Sequence, residues 1–121
     1  MIGRRGEEEA CSFLIGEGHR IVYRNWRSGH LEVDIISLKD KTLHFVEVKT
    51  RSGNATVAPE TKVDAVKQMR LVHAARAFLN AGARARLPAG LEVQFDVVAV
   101  VFGRPAPVVS YYPRAFLPIY I

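Results

Sequence analysis

"HLEVDIISLKDKTLHFVEVKTR", residues 30–51, reads as two apolar strands joined by a tight "KDK" turn, with charge set at alternate positions inside them. Successive side chains of a strand face opposite sides of a sheet, so Glu32 and Asp34 share a face, as do Glu47 and Lys49 on the next strand. Residues two apart lie about 6.5–7 Å apart along a strand, and long side chains on neighbouring strands converge across that distance. On this spacing Leu31, Val33, Ile35, Val46 and Val48 take the opposite face and form core. A solvated sheet face with surface ion pairs is the plain alternative, and such pairs contribute little. Two features weigh against it. "FVEVK" lies in the middle of a strongly apolar run, and carboxylates gathered near one point repel each other unless a cation joins them.

Outward from this stretch the pattern gives one α/β domain spanning residues 1–121, in the order α-β-β-β-α-β-β. Residues 7–18 are predicted helical, with Glu7, Ala10, Cys11 and Leu14 on one face and Gly16 and Gly18 closing the segment. "RIVYRNW" (20–26) makes a first strand, and with the opening pair it forms an antiparallel meander. Residues 60–82 read as a long helix, with Glu60 or Thr61 serving its N-terminus and Gly82 following its last turn. "LEVQFDVVAVVF" (91–102) is apolar on both faces in its second half, which suits a central, covered strand, and "VVSYY" (108–112) is a short one. "ARARLPAG" reads as a basic loop, and "PRAFLPIYI" ends the chain irregularly.

The chain has 121 residues, 49% of them hydrophobic, enough for one core. Its apolar runs are of strand length, so no membrane association is expected. "MIGRRGEEEA" lacks an apolar core, so it does not read as a secretory signal, and the single cysteine, Cys11, fits a reducing cytoplasm. Net charge is +5, carried by 12 Arg against 5 Lys. Arginine forks suit phosphate oxygens, so nucleic acid is the partner class this balance favours.

The residue types agree with that partner. Carboxylates on adjacent strands suit Mg2+ or Mn2+, which takes one or two carboxylates and leaves its other positions to water and substrate phosphate. A nearby lysine orients water or stabilises charge developing on phosphate. Asp34, followed 13 residues later by Glu47-x-Lys49 on the next strand, therefore has the makings of metal-assisted phosphodiester hydrolysis, with Glu32 as an additional acid.

The same residues carry a family resemblance. "GHLEVDII" and "LHFVEVKTR" resemble the PD-(D/E)XK nuclease superfamily, with its restriction-endonuclease-like fold of a mixed central sheet flanked by helices. Within it, the chain resembles over nearly its full length the YraN-like family of small bacterial proteins, through "GEEEACSFLIGEGHRIVYRNWR", "LEVDII", "FVEVKTR", "FDVVAV" and the late Ala115–Phe116. The resemblance implies a metal-dependent endonuclease acting on DNA, branched or repair-intermediate forms among its candidates. By position, Asp34 and Glu47 would hold the metal, Lys49 would be catalytic, and Glu7 would lean toward the site. It also implies a substrate-contacting role for Lys62, and likeness to junction-cutting nucleases admits a homodimer. Leu31 and Gln94 depart from the family pattern, which has Gly and Arg there.

Lys62, Arg70 and His73 fall within about 80° of one another on a helical wheel, and with Arg51 before them and Arg84 and Arg86 after they compose a candidate phosphate-tracking groove. A solvated helix face explains them equally well. Asp96, alternating with apolar residues in "QFDVV", reads as a buried hydrogen-bonded acid. The histidines are scattered without zinc-site spacing. Two other functions fit the composition: a non-catalytic nucleic-acid-binding module on the same fold, and a protein-interaction scaffold acting through "YYPRAFLPIYI".

Overall fold

Two tight turns build the first three strands. Gly29 (φ 61°) and Asp40 (φ 54°) adopt the left-handed backbone that hairpin turns require and that Gly and Asp tolerate best. A computed structural model of the chain, which describes residues 2–52, 65–103 and 105–116, shows the result. Helix α1 (Ile2–Gly16) leads into β1 (Arg20–Ser28), β2 (Leu31–Lys39) and β3 (Thr42–Ser52). Helix α2 (Ala65–Leu79) and a short 3-10 helix (Gly82–Arg86) precede β4 (Glu92–Phe102) and β5 (Val108–Tyr112). This is the expected element order, with the basic loop tightened into 3-10 geometry. The sheet runs β1-β2-β3-β4-β5, with β3–β4 parallel and the other pairs antiparallel. Helix α1 starts five residues earlier than the sequence suggested. It ends in a Schellman motif: Gly18 (φ 95°) is left-handed, and the His19 and Gly18 N–H groups donate to the Leu14 and Ile15 carbonyls. The expected N-terminal cap at Glu60 or Thr61 lies outside the described residues, where α2 begins at Ala65. Among the described residues, no helix is long and apolar enough to cross a membrane.

The helices cover opposite faces of the sheet. Under α2, Val33, Ile36, Phe45 and Phe95 pack on Val72 and Phe78, whose ring meets those of Trp26 and Phe45 edge-on. Under α1, Ala10, Cys11 and Leu14 pack on Ile35, Val46 and Val98, as the helical spacing predicts. Gly6 brings α1 closest to the sheet: a Cβ there would lie 2.2 Å from Thr50 Oγ1.

One expectation is corrected. Leu31, Val33 and Ile35 do not share a face, because Leu31 and Val33 pack under α2 and Ile35 under α1. The alternation breaks at Asp34. The β2–β3 ladder stops at Ile35–Val46, and the β1–β2 register skips the Asn25–Asp34 position, where Asn25 has a left-handed φ of 53°. Beyond this point the β2–β3 backbone ladder ends, and the sheet opens where Glu47 and Lys49 lie.

The other end is tied shut. Buried Asp96 accepts hydrogen bonds from His44 Nδ1 (2.6 Å), Tyr111 Oη (2.7 Å), Gln94 Nε2 (2.9 Å) and the Arg114 backbone N–H (2.9 Å). Burial alone would raise its pKa, but these donors outweigh it and hold the carboxyl below its ordinary value. The His19 ring packs tilted against His44, with centroids 4.5 Å apart, and its Nδ1 bonds Ser37 Oγ at 2.8 Å. Its pKa is lowered by burial and by the neighbouring His44 and Lys39. Asp96 is thus the structural acid that its apolar surroundings implied.

Two outcomes test this packing. Gly6→Ala should destabilise the fold by about 1–3 kcal/mol through overpacking, with Thr50→Ala restoring part of the loss in denaturant titrations. A lowered His19 pKa means that the fold favours the neutral ring. That stability is present above the ordinary 6.5 and is lost as pH falls below it. Thermal midpoints should therefore drop on acidification from pH 6.5, less steeply in His19→Gln; equal slopes in the two proteins would remove His19 from the account.

Candidate functional site

A side-chain hydrogen bond crosses the open end of the sheet. The Val48 N–H, past the last β2–β3 ladder pair, donates to Asp34 Oδ2 at 2.8 Å. A side chain thus takes the place of a strand partner and lies in the gap between the strands. Glu47 leaves β3 on the α2 side, as the alternation from Phe45 requires. Asp34 and Glu47 line one cavity of about 330 Å³, together with His30, Glu32, Lys67 and Arg70. Two adjacent strands supply the carboxylates, and α2 supplies the cations facing them.

The electrostatics are unbalanced toward negative charge. Asp34's pKa is pushed up to about 7, first by burial, then by the Glu47 charge, with Glu7 and Glu32 adding to it; the Val48 hydrogen bond opposes the rise. Buried Glu47 is paired with Lys67 Nζ at 2.5 Å, and that lysine is about half exposed, at 53%. Glu32 is drawn outward by Arg27 Nε at 2.8 Å. Glu7, on α1, accepts a hydrogen bond from Asn25 Nδ2 at 2.9 Å.

The sequence-derived residues therefore divide. Asp34, Glu47, Glu32 and Arg70 come together around the cavity. Lys49 is one step beyond Glu47 on the same strand face, and Glu7 is on the α1 side; the cavity lining includes neither. Arg51 is exposed near the end of β3, and Lys62 lies outside the described residues. Lys67 escaped the sequence reading, although it sits three residues before Arg70 and about 60° from it on the wheel. Asn25 also escaped it, since neither its left-handed backbone nor its bond to Glu7 has a sequence signal.

The donor set fits a hard divalent cation. Mg2+ is commonly bound through one or two carboxylates with water and substrate oxygens completing the shell, and the paired Asp34 and Glu47 present such donors under mutual repulsion. Among the described residues no group of three or more His, Cys, Asp or Glu is gathered as a metal site.

These features define a small α/β protein with an acidic cleft where its sheet splays. The chain belongs to the family described as "Uncharacterised protein family UPF0102", whose model matches residues 6–100. It is 42% identical over 105 residues to a UPF0102 protein of Oleidesulfovibrio alaskensis, covering 87% of this chain and 50% of that one. A UPF0102 protein of Bacteroides thetaiotaomicron is 36% identical over 117 residues, covering 97% of this chain and 93% of the relative. The chain thus spans half the length of the first relative and nearly all of the second.

Asp34 yields a stability prediction. Its folded pKa of about 7 lies above the ordinary 3.8, so its contribution is fully present below pH 3.8 and is lost as pH rises through 7. In metal-free buffer, Asp34→Asn should stabilise the fold at pH 8 by about 1–3 kcal/mol, with the gain vanishing near pH 4. Urea titrations at the two pH values are the check; a variant less stable than wild type at pH 8 would contradict the assigned repulsion.

Proposed function

We propose that this protein is a metal-dependent endonuclease that hydrolyses phosphodiester bonds in nucleic acid, with DNA as its substrate, on a restriction-endonuclease-like fold. One observation carries the reading: Asp34 and Glu47, from adjacent strands, line a single cavity whose opposite wall holds Lys67 and Arg70. The mixed sheet, with a three-stranded meander followed by a helix and a parallel strand, supports the fold assignment. A cytoplasmic setting suits the free, buried Cys11.

Asp34 and Glu47 would hold Mg2+ or Mn2+, which supplies Lewis-acid stabilisation of phosphoryl oxygens and an acidified water. The chain's own residues do the rest. The Val48 N–H fixes Asp34 in the strand gap, so its carboxylate is oriented before any ligand arrives. Lys49, on the Glu47 face, contributes positive charge toward the attacked phosphate or orients the attacking water. Arg70, at the cavity wall, and Arg51, near the end of β3, contact flanking phosphates; for Lys62 a substrate-contacting role rests on the family resemblance alone.

A second reading, a binding module without catalysis, draws on a different observation: Lys67 already neutralises Glu47, and the cavity lining does not include Lys49.

Activity and metal uptake separate the two. Wild type should cleave at least one of duplex, single-stranded, flap or four-way-junction DNA or structured RNA in Mn2+ or Mg2+. Lys49→Ala should slow cleavage by about 10²- to 10³-fold while retaining salt-sensitive binding. Calorimetry with Mn2+ should show uptake that Asp34→Asn and Glu47→Gln each greatly weaken. Binding without cleavage under either metal selects the second reading, and a Lys49→Ala variant as fast as wild type removes Lys49 from the mechanism.

A further inference from the structure

Asn25 combines three features that the nuclease reading does not use. It is a non-glycine residue with φ 53° inside a strand, a conformation that is strained unless its surroundings favour it. Register places it opposite Asp34, between the pairs Arg24–Ile35 and Trp26–Val33. Its side-chain amide crosses to another element and donates to Glu7 Oε1 at 2.9 Å.

We propose that Asn25 is a positioning residue for the cation site: its left-handed backbone and side-chain amide hold the Glu7 carboxylate on the α1 side of Asp34. The inference rests on the metal-dependent reading above. Asn25 lies between the pairs Arg24–Ile35 and Trp26–Val33, so its side chain anchors Glu7 over the stretch of the sheet that carries Asp34. Glu7 is an otherwise rotatable side chain in the first turns of α1, and Asn25 selects its direction. Gly6, beside it, presses α1 onto Thr50, so the backbone that carries Glu7 is already fixed to β3. Glu7 lies outside the lining of the cavity shared by Asp34 and Glu47, and it acts there as an outer acidic group. Its effect on the cation passes through charge and bridging water.

A substitution that keeps the left-handed backbone separates this role from a merely structural one. Glycine accepts φ 53° without penalty, so Asn25→Gly keeps the backbone and removes only the amide. In the intact chain, Asn25→Gly should melt within a few degrees of wild type yet bind Mn2+ about 10-fold more weakly by calorimetry, the size typical of losing an outer-sphere partner. Glu7→Gln should lose a similar factor. The double variant Asn25→Gly/Glu7→Gln should be no weaker than either single one, because both act through one contact. Mn2+ affinity of Asn25→Gly equal to wild type, or losses that add in the double variant, overturns the inference while leaving the metal reading intact. Absence of Mn2+ uptake by wild type overturns the metal reading and this inference with it.

Discussion

The hydrogen bond from the Val48 N–H to Asp34 Oδ2 is the constraint on which the open end of the molecule depends. A strand that leaves its neighbour exposes backbone donors and acceptors, and a buried one without a partner costs about 1–3 kcal/mol. Here an acid side chain takes over the ladder just past Ile35–Val46, so β2 and β3 separate without leaving the Val48 donor unsatisfied. The separation makes room for the cavity. The same bond orients the carboxylate, so the element that permits the cleft also supplies its first functional group.

The two aspartates of the sheet show how surroundings assign roles. Asp96 and Asp34 both sit on strands among apolar neighbours, and burial pushes both pKa values upward. Asp96 collects donors from β3, β4, β5 and the segment after β5, and they reverse the shift. Asp34 has the Val48 donor and is surrounded by the charges of Glu47, Glu7 and Glu32, so its shift stands. The first is a satisfied anion that ties elements together. The second carries negative charge under strain, an arrangement common at sites that receive a cation or proton.

Much of the fold was legible because its signals are local. The meander follows from apolar runs punctuated by Gly29 and Asp40, the α1 face from helical spacing, and central β4 from its two apolar faces. Asp34 and Glu47 were legible because charge inside an apolar strand has few ordinary explanations. The break at Asp34 was not, since Val33 and Ile35 are both apolar and either face would accept them. Lys67 was hidden because a lysine on a helix is ordinarily a solvated one; only the packing of α2 across β2 brings it to Glu47. Asn25 was hidden for a related reason: its bond to Glu7 spans 18 residues and depends on where α1 docks.

The ion pair between Lys67 and Glu47 then acquires a meaning that the sequence could not supply. Glu47 is buried and, without a partner, would be a desolvated charge beside a second carboxylate. Lys67 provides that partner from a flexible, half-exposed stem, so its attachment is weak by comparison with a fully buried pair. A partner of this kind compensates the buried acid and holds it at the wall of the cavity. The closed end of the sheet, by contrast, satisfies Asp96 with donors from strands and backbone that cannot leave without unfolding. The molecule thus matches its buried acid with strand and backbone donors at one end, and with a half-exposed helix lysine at the other.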